Sequence, residues 1–462
     1  MQRNRREAMS PVDSAWLRME DPTNLMMITG VLIFETPLNL ERFRQVIEQR
    51  LLQRFDRFRK RAVVPAQGNT PYWEDDPFFT LSAHLHRVAL PLPADQQALQ
   101  DLASDLMSTP IDFSKPPWQF HIVEQYGQGS ALIARLHHCI ADGIALVHVL
   151  LSLTDSAADR DRVVEPPTAH KPRDPLSVLL APVQQLSETV LREGQYLIER
   201  PAERVQDLAR LGADGLAALG KLVFQSPDPQ TILKGPLGVL KRATWSQPIP
   251  LEQIKAIGRV TGATINDILL AAVAGALRSY LIWRGTDVAG LNIRAVVPVN
   301  LRPLDRPPTM GNQFGVVFLS LPVGIADPYA RLTELRERMD QIKGTPEAVV
   351  AFGILNAMGI SPQPLQDIGV GLFGSKATAV MTNVPGPRET IYMAGSPIRD
   401  IMFWVPQSGH LGMGVSILSY AGRVLVGLAT DTDLIPEPER IIAAYQHELD
   451  MLSELTPPID LR

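Results

Sequence analysis

The segment that most limits how this chain can fold is Ile268–Leu277, ten consecutive residues without a polar interruption. A helix that is apolar on every side has no face matched to water and must be wrapped by other elements. Ten residues also fall well short of the roughly 20 needed to cross a bilayer. The chain must therefore build a core deep enough to enclose a whole helix. Thr264 is placed to cap that helix, which is expected over Asn266–Tyr280.

Around this helix the apolar spacing switches repeatedly between two periods. Helical spacing runs through residues 39–54, with Leu40, Phe43, Val46, Ile47 and Leu51 on one side. It recurs over 93–107, 144–153, 251–260, 329–342 and 438–455, and a short capped helix follows Ser10. Alternating runs predict strands over 27–34, 118–124, 131–136, 293–299, 316–321, 378–382, 412–419 and 424–429. The mixture has no regular βαβ rhythm, which predicts an α+β fold with two halves of similar size. Pro166, Pro167, Pro172 and Pro175 mark an exit from the first half. Residues 176–223 carry amphipathic helical pattern, suited to packing on the body of the protein, to a helical linker or to a membrane surface; packing is the favoured reading. The expected division is an N-terminal half over 1–165, a helical linker over 166–245 and a C-terminal half over 246–462.

Charge and cysteine content narrow the function classes. Among the 462 residues, Lys and Arg total 44 against 49 Asp and Glu, a net charge of −5. A nucleic-acid binder needs an excess of cations to neutralise phosphates, so no nucleic-acid partner is expected. The single cysteine, Cys139, rules out an intrachain disulfide and suits a reducing compartment. No signal-type apolar segment follows Met1–Arg6, so the expectation is a cytoplasmic chain that can lie on a membrane without crossing it. No Walker A loop, GxSxG elbow, CxxC pair or HExxH helix occurs.

The chemistry-bearing stretch is His137, His138, Cys139, Ile140, Ala141, Asp142, Gly143, between an expected strand and an apolar helix. Neighbouring residues at a strand end point to opposite faces, so one histidine can reach a substrate while the other packs inside. Histidine suits a general base near neutral pH. Asp142 can accept a hydrogen bond or pair with an arginine and fix the loop, and Gly143 eases its backbone. A metal site would need adjacent histidines to converge on one ion, which they rarely do. Satisfied core histidines are another reading, and a lone cysteine beside an apolar helix reads as a small buried side chain rather than a nucleophile. Two further patterns are weaker. Gly369, Gly371 and Gly374 spell GxGxxG, but no strand precedes them. The cluster Arg54, Arg57, Arg59, Lys60 and Arg61 suits either the phosphates of an anionic ligand or lipid, or a solvated turn.

His137, His138, Asp142 and Gly143 together form HHxxxDG, the motif of the acyltransferase superfamily that includes chloramphenicol acetyltransferase and peptide-synthetase condensation domains. Further segments make the chain resemble the bacterial wax ester synthase/diacylglycerol acyltransferase family. These are MSPVDSAWL (Met9–Leu17), Pro117–Trp118, Asn266–Asp267, VPVNLR (Val297–Arg302), GNQFG (Gly311–Gly315) and TNVPGP (Thr382–Pro387). Pro116–Pro117 departs from the family's Pro-Leu-Trp, which bears on local packing.

The resemblance implies two chloramphenicol-acetyltransferase-like halves joined by a helical linker, with an active-site tunnel between them. It implies acyl transfer from acyl-CoA, a co-substrate rather than a permanently bound cofactor, to a fatty alcohol or diacylglycerol. The second histidine, His138, would be the general base, His137 structural and Asp142 a loop-orienting group paired with Arg302. Asn266 is equally a polar stabiliser across the cleft or a structural residue at a helix start, and Trp118 is expected to pack. No metal is expected. Water-insoluble products imply a peripheral membrane or lipid-inclusion surface as partner, and the sequence sets no oligomeric state. Competing readings are a condensation-type transferase fed by a carrier protein and a non-catalytic lipid-inclusion protein. The Asn266–Asp267 motif argues against the first and the intact HHxxxDG motif against the second.

Overall fold

The computed structural model describes residues 6–65, 70–158, 224–302, 310–343, 345–407 and 409–454, together with positions 220 and 222. The amphipathic stretch 176–223 lies outside the described residues apart from those two positions.

The described residues form two large mixed sheets and one small one. The first large sheet orders its strands Tyr392–Met393, Ser396–Trp404, Met27–Phe34, Gly129–His137, Trp118–Tyr126 and Leu85–Val88. The second orders Phe314–Leu321, Ile293–Asn300, Ala379–Pro385, Met413–Tyr420, Arg423–Asp431 and Lys241–Trp245, with Ile249–Pro250 also pairing on Arg423–Asp431. Glu7–Ala8, Tyr72–Asp75 and Lys60–Val63 make the small sheet.

The sheets are not divided where the sequence halves are. Ser396–Trp404 leaves the second half and pairs antiparallel with Met27–Phe34, setting Ile401 opposite Leu32 and Trp404 opposite Thr29. Its register shifts between Ile398 and Asp400. Such a bulge breaks the two-residue alternation, which is why the sequence shows no strand there. Lys241–Trp245, inside the expected 166–245 stretch, is an edge strand of the second sheet. Two helices are also additions to the sequence reading. Glu347–Ile360 is too uniformly apolar to show a face, and Gln363–Ser375 hides behind Pro364 and three glycines.

The buried helix is Ile265–Trp283. Its start is closed by a capping box. Thr264 Oγ1 accepts from the Asp267 amide at 3.2 Å, and Asp267 Oδ2 accepts from the Thr264 amide at 2.9 Å. Length and composition would let this helix cross a bilayer, yet Ile268–Leu277 is enclosed on all sides. Leu332 and Leu335 of Pro328–Ile342, Tyr445 and Leu449 of Pro438–Ser453, and Met413, Val415 and Ile417 of the second sheet pack in its cluster.

A second core joins the halves. Trp16, Leu136, Cys139 and Ile140 pack in one cluster with Leu301, Phe314, Val317, Ala348 and Phe352. Within it Gly315 passes so close to the helix Glu347–Ile360 that an added Cβ would sit 1.8 Å from the Ala348 carbonyl oxygen. A backbone neighbour cannot step aside as a flexible side chain can. Gly315→Ala is therefore expected to lower stability by about 1–3 kcal/mol, read as a shift in denaturant midpoint at constant slope. An unchanged midpoint would show that the two elements can separate at little cost.

Candidate active site

The loop after Gly129–His137 is held on both sides by its neighbours. The His137 amide donates to the Pro117 carbonyl at 2.9 Å and the His138 amide to the Met26 carbonyl at 2.8 Å. The two rings then meet different surroundings. His137 is fully buried, and its Nδ1 accepts from the Cys139 amide at 3.1 Å. An accepting Nδ1 places the ring proton on Nε2, which faces Glu20 Oε2 at 3.3 Å. Phe113 packs edge-on at 5.1 Å. His137 thus closes the loop on itself.

His138 lies against Trp16, stacked at 4.1 Å with 22° between planes, and Phe314 tilts over it at 5.7 Å. The ring is almost wholly buried. Burial lowers its pKa to about 4, against an opposing pull from the nearby Asp142 charge. The imidazole is therefore neutral across the physiological range, the state in which it can accept a proton.

Asp142 caps the helix Gly143–Ser152, its Oδ1 accepting from the Ala145 amide at 3.0 Å. Its Oδ2 accepts from Arg302 Nη1 at 2.5 Å and from the Gln313 amide at 2.8 Å. Arg302 Nη2 donates to the Gly311 carbonyl at 2.6 Å. The guanidinium fork is therefore split between a carboxylate and a peptide oxygen, not laid bidentate on Asp142. Gly311 has φ of +106°, a conformation that favours glycine and turns its carbonyl toward Arg302 and the Asp142 amide.

A second buried carboxylate, which the sequence reading assigned no role, holds the other side. Asp13 Oδ1 accepts from the Asn312 amide at 3.1 Å and from Asn312 Nδ2 at 2.7 Å. Its Oδ2 accepts from Arg57 Nη1 at 3.1 Å. Asn312 Nδ2 also donates to the His138 carbonyl at 2.9 Å, and Arg57 Nη1 to the Ile140 carbonyl at 3.0 Å. Burial raises the Asp13 pKa, with Arg57 and Asn312 opposing. Two signals were present: Asp13 sits in MSPVDSAWL and Asn312 in GNQFG. Their roles depend on contacts spanning hundreds of residues, which no local pattern encodes.

The remaining candidates are placed as follows. Asn266 Oδ1 accepts from Asn383 Nδ2 at 2.8 Å, joining the Asn266–Asp267 and Thr382–Pro387 segments. Among the described residues no hydrogen bond links Asn266 to the histidine loop. Trp118 is buried, donates to the Phe58 carbonyl at 2.9 Å and stacks on His84. Cys139 is buried, and burial pushes its thiol pKa well up, as befits an inert filler. Four of the five cations in the cluster Arg54–Arg61 are engaged within the chain: Arg57 with Asp13, Arg59 with Asp56, Lys60 with Glu7 and Arg61 with Glu74. Gly369, Gly371 and Gly374 lie on the helix Gln363–Ser375, not on a strand-to-helix turn. Among the described residues no group of three or more His, Cys, Asp or Glu side chains could hold a metal ion.

Asp142 and Arg302 are both buried, so removing Arg302 leaves the Asp142 carboxylate without its cation. Arg302→Ala is expected to cost about 3–5 kcal/mol in stability, measured by denaturant unfolding. Arg302→Lys is expected to fall between that variant and the parent, because an ammonium cannot serve both Asp142 and Gly311 in the fork geometry. A lysine variant as stable as the parent would contradict the split-fork arrangement.

Sequence profiles agree with this architecture. The wax ester synthase/diacylglycerol acyltransferase catalytic domain matches residues 9–269 and the C-terminal domain of the same family matches residues 310–453. The chain is similar to the Mycobacterium tuberculosis protein described as "Probable diacyglycerol O-acyltransferase tgs1", 28% identical over 442 residues, covering 93% of this chain and 92% of the relative. In structure it is similar to the wax ester synthase/diacylglycerol acyltransferase from Marinobacter aquaeolei VT8, with TM-score 0.68, 20% identity and coverage of 96% and 98% of the two chains. The first condensation domain of the calcium-dependent antibiotic synthetase shares the fold at TM-score 0.60 and 16% identity, over 97% of this chain and 95% of that one. The fold is thus two chloramphenicol-acetyltransferase-like halves, with the histidine loop held at their junction. The chain belongs to the wax ester synthase/diacylglycerol acyltransferase family and is an acyltransferase.

Proposed function

We propose that the protein moves a fatty acyl group from acyl-CoA to the hydroxyl of a long-chain alcohol, of diacylglycerol or of both, with His138 as general base. The observation that carries this reading is the burial of the His138 ring between Trp16 and Phe314, in a loop that both halves hold. In the reaction His138 takes the hydroxyl proton as the hydroxyl oxygen attacks the thioester carbonyl. The carbon–sulfur bond then breaks, and the proton passes from the imidazolium to the leaving thiolate. No covalent acyl-enzyme is required. Asp142 contributes at a distance: its charge favours the imidazolium as it forms, while its oxygens are held by Arg302 and the Gln313 and Ala145 amides.

Base catalysis of this kind supplies about 10²–10⁴-fold, and alignment of the two substrates must supply much of the remainder. Asn266 is the donor proposed for the developing oxyanion. Its Oδ1 is occupied by Asn383, which leaves its amide hydrogens as the group able to donate. Acyl-CoA is consumed as a co-substrate, with no resident cofactor. Working on acceptors that do not dissolve, the protein is proposed to act in the cytoplasm at a membrane or lipid-inclusion surface.

Thiol release from palmitoyl-CoA, followed with and without hexadecanol or diacylglycerol, tests the reading. Release is expected to need the acceptor and to fall at least about 100-fold in His138→Ala, with the thermal unfolding midpoint near that of the parent. Acceptor-independent release, or a folded His138→Ala enzyme at the parental rate, would sink it.

A further inference from the structure

Among the described residues, the helix Gln363–Ser375 is firmly attached on one side and exposed on the other. Gln366 is fully buried, and its Nε2 donates to the Ala15 carbonyl at 3.1 Å. Next to it, Arg18 Nη1 donates to the Ser361 carbonyl at 3.1 Å and Gln363 Nε2 to the Arg18 carbonyl at 3.4 Å. Phe373 stacks on Phe318 of the second sheet. These contacts fix the helix to Pro11–Arg18, whose Trp16 lies on the His138 ring.

The outer face is aliphatic. Leu365 is 60% exposed, Ile368 67% and Leu372 40%, at helical spacing i, i+3 and i+7; Ile360, at the end of the preceding helix, adds a fourth side chain at 72%. The other large exposed apolar residues are spread over distant parts of the chain. A contiguous apolar patch of this kind marks an interaction surface, whereas scattered single residues do not.

We infer that Leu365, Ile368 and Leu372, with Ile360, dip into an uncharged lipid surface and place the His138 loop next to the source of its acceptor. This deepens the proposed function and rests on it for the identity of that acceptor. The charge on this face selects the kind of lipid. Asp367 is the only charged residue from Ile360 to Ser375, and the next, Lys376, is buried. A helix that binds an acidic bilayer carries lysines and arginines on its polar face; one without them matches a neutral surface. The position of the patch completes the argument, since a single helix, Pro11–Arg18, separates the patch from the base.

The test uses the full-length protein and the triple variant L365S/I368S/L372S. Flotation is measured with phosphatidylcholine vesicles containing diacylglycerol, with and without added phosphatidylserine, at low and high salt. The parent is expected to float with the neutral vesicles regardless of salt, and the variant to bind at least about tenfold less. Acyl transfer to diacylglycerol in vesicles is expected to fall by a similar factor, while transfer to a short water-soluble alcohol stays unchanged. Equal flotation of parent and variant would overturn the inference. So would binding that requires phosphatidylserine and is lost in salt, or an equal loss of activity on both acceptors. A parent that is a dimer without vesicles and a variant that is a monomer would assign the patch to a second copy and overturn it as well. If the parent transfers to neither acceptor but floats through this patch, the proposed function fails while the surface assignment stands.

Discussion

Two buried ion pairs hold the histidine loop, and each reaches a segment far away in the sequence. Asp142 binds Arg302 and the Gln313 amide, and Asp13 binds Arg57 and Asn312. Residues 311–313 thus lie between two carboxylates, fastened to the histidine loop from both directions. Burying such charges costs several kcal/mol each before pairing, so these contacts are poor candidates for a net source of stability. Their value lies in geometry. Every donor is directional, and a loop displaced by an ångström would leave a charge without its partner in a nearly dry interior.

That arrangement accounts for the unusual condition of His138. A histidine on an exposed loop would titrate near its ordinary value and spend much of its time protonated under mildly acid conditions. Here Trp16 and Phe314 cover the ring and burial lowers its pKa to about 4. The ring is consequently neutral at neutral pH, and a weaker base than a free imidazole. The Asp142 charge opposes the burial. His137, adjacent in sequence, turns one ring nitrogen to the loop itself and the other to Glu20. Two neighbouring histidines therefore do different work because the strand end turns them to different surroundings.

Much of this was legible in the sequence because it depends on local signals. The run Ile268–Leu277 called for an enclosed helix, and Thr264 and Asp267 do close its start. HHxxxDG, between alternating and helical patterns, marked a loop between a strand and a helix, which the structure has. Features that depend on distant pairing were hidden. Ser396–Trp404 crosses into the first sheet through a bulge that erases its alternation. Asp13 looked like part of a helix start, which it also is, since its amide bonds to Ser10 Oγ at 3.1 Å. Arg57 looked like one of five clustered cations, yet it turns inward to Asp13 while Arg59, Lys60 and Arg61 take acidic partners in the small sheet and the adjoining turn. A charge run shows how many cations a segment carries and says nothing about which of them faces in.

The central claim is that the fold keeps His138 unprotonated by burying it. Ring-nitrogen NMR on histidine-labelled protein reads this directly, with the His138 signal assigned by its loss in His138→Ala. The account predicts a neutral ring down to about pH 5, with protonation setting in only near pH 4. A His138 ring that titrates near its ordinary value of about 6.5 would contradict it.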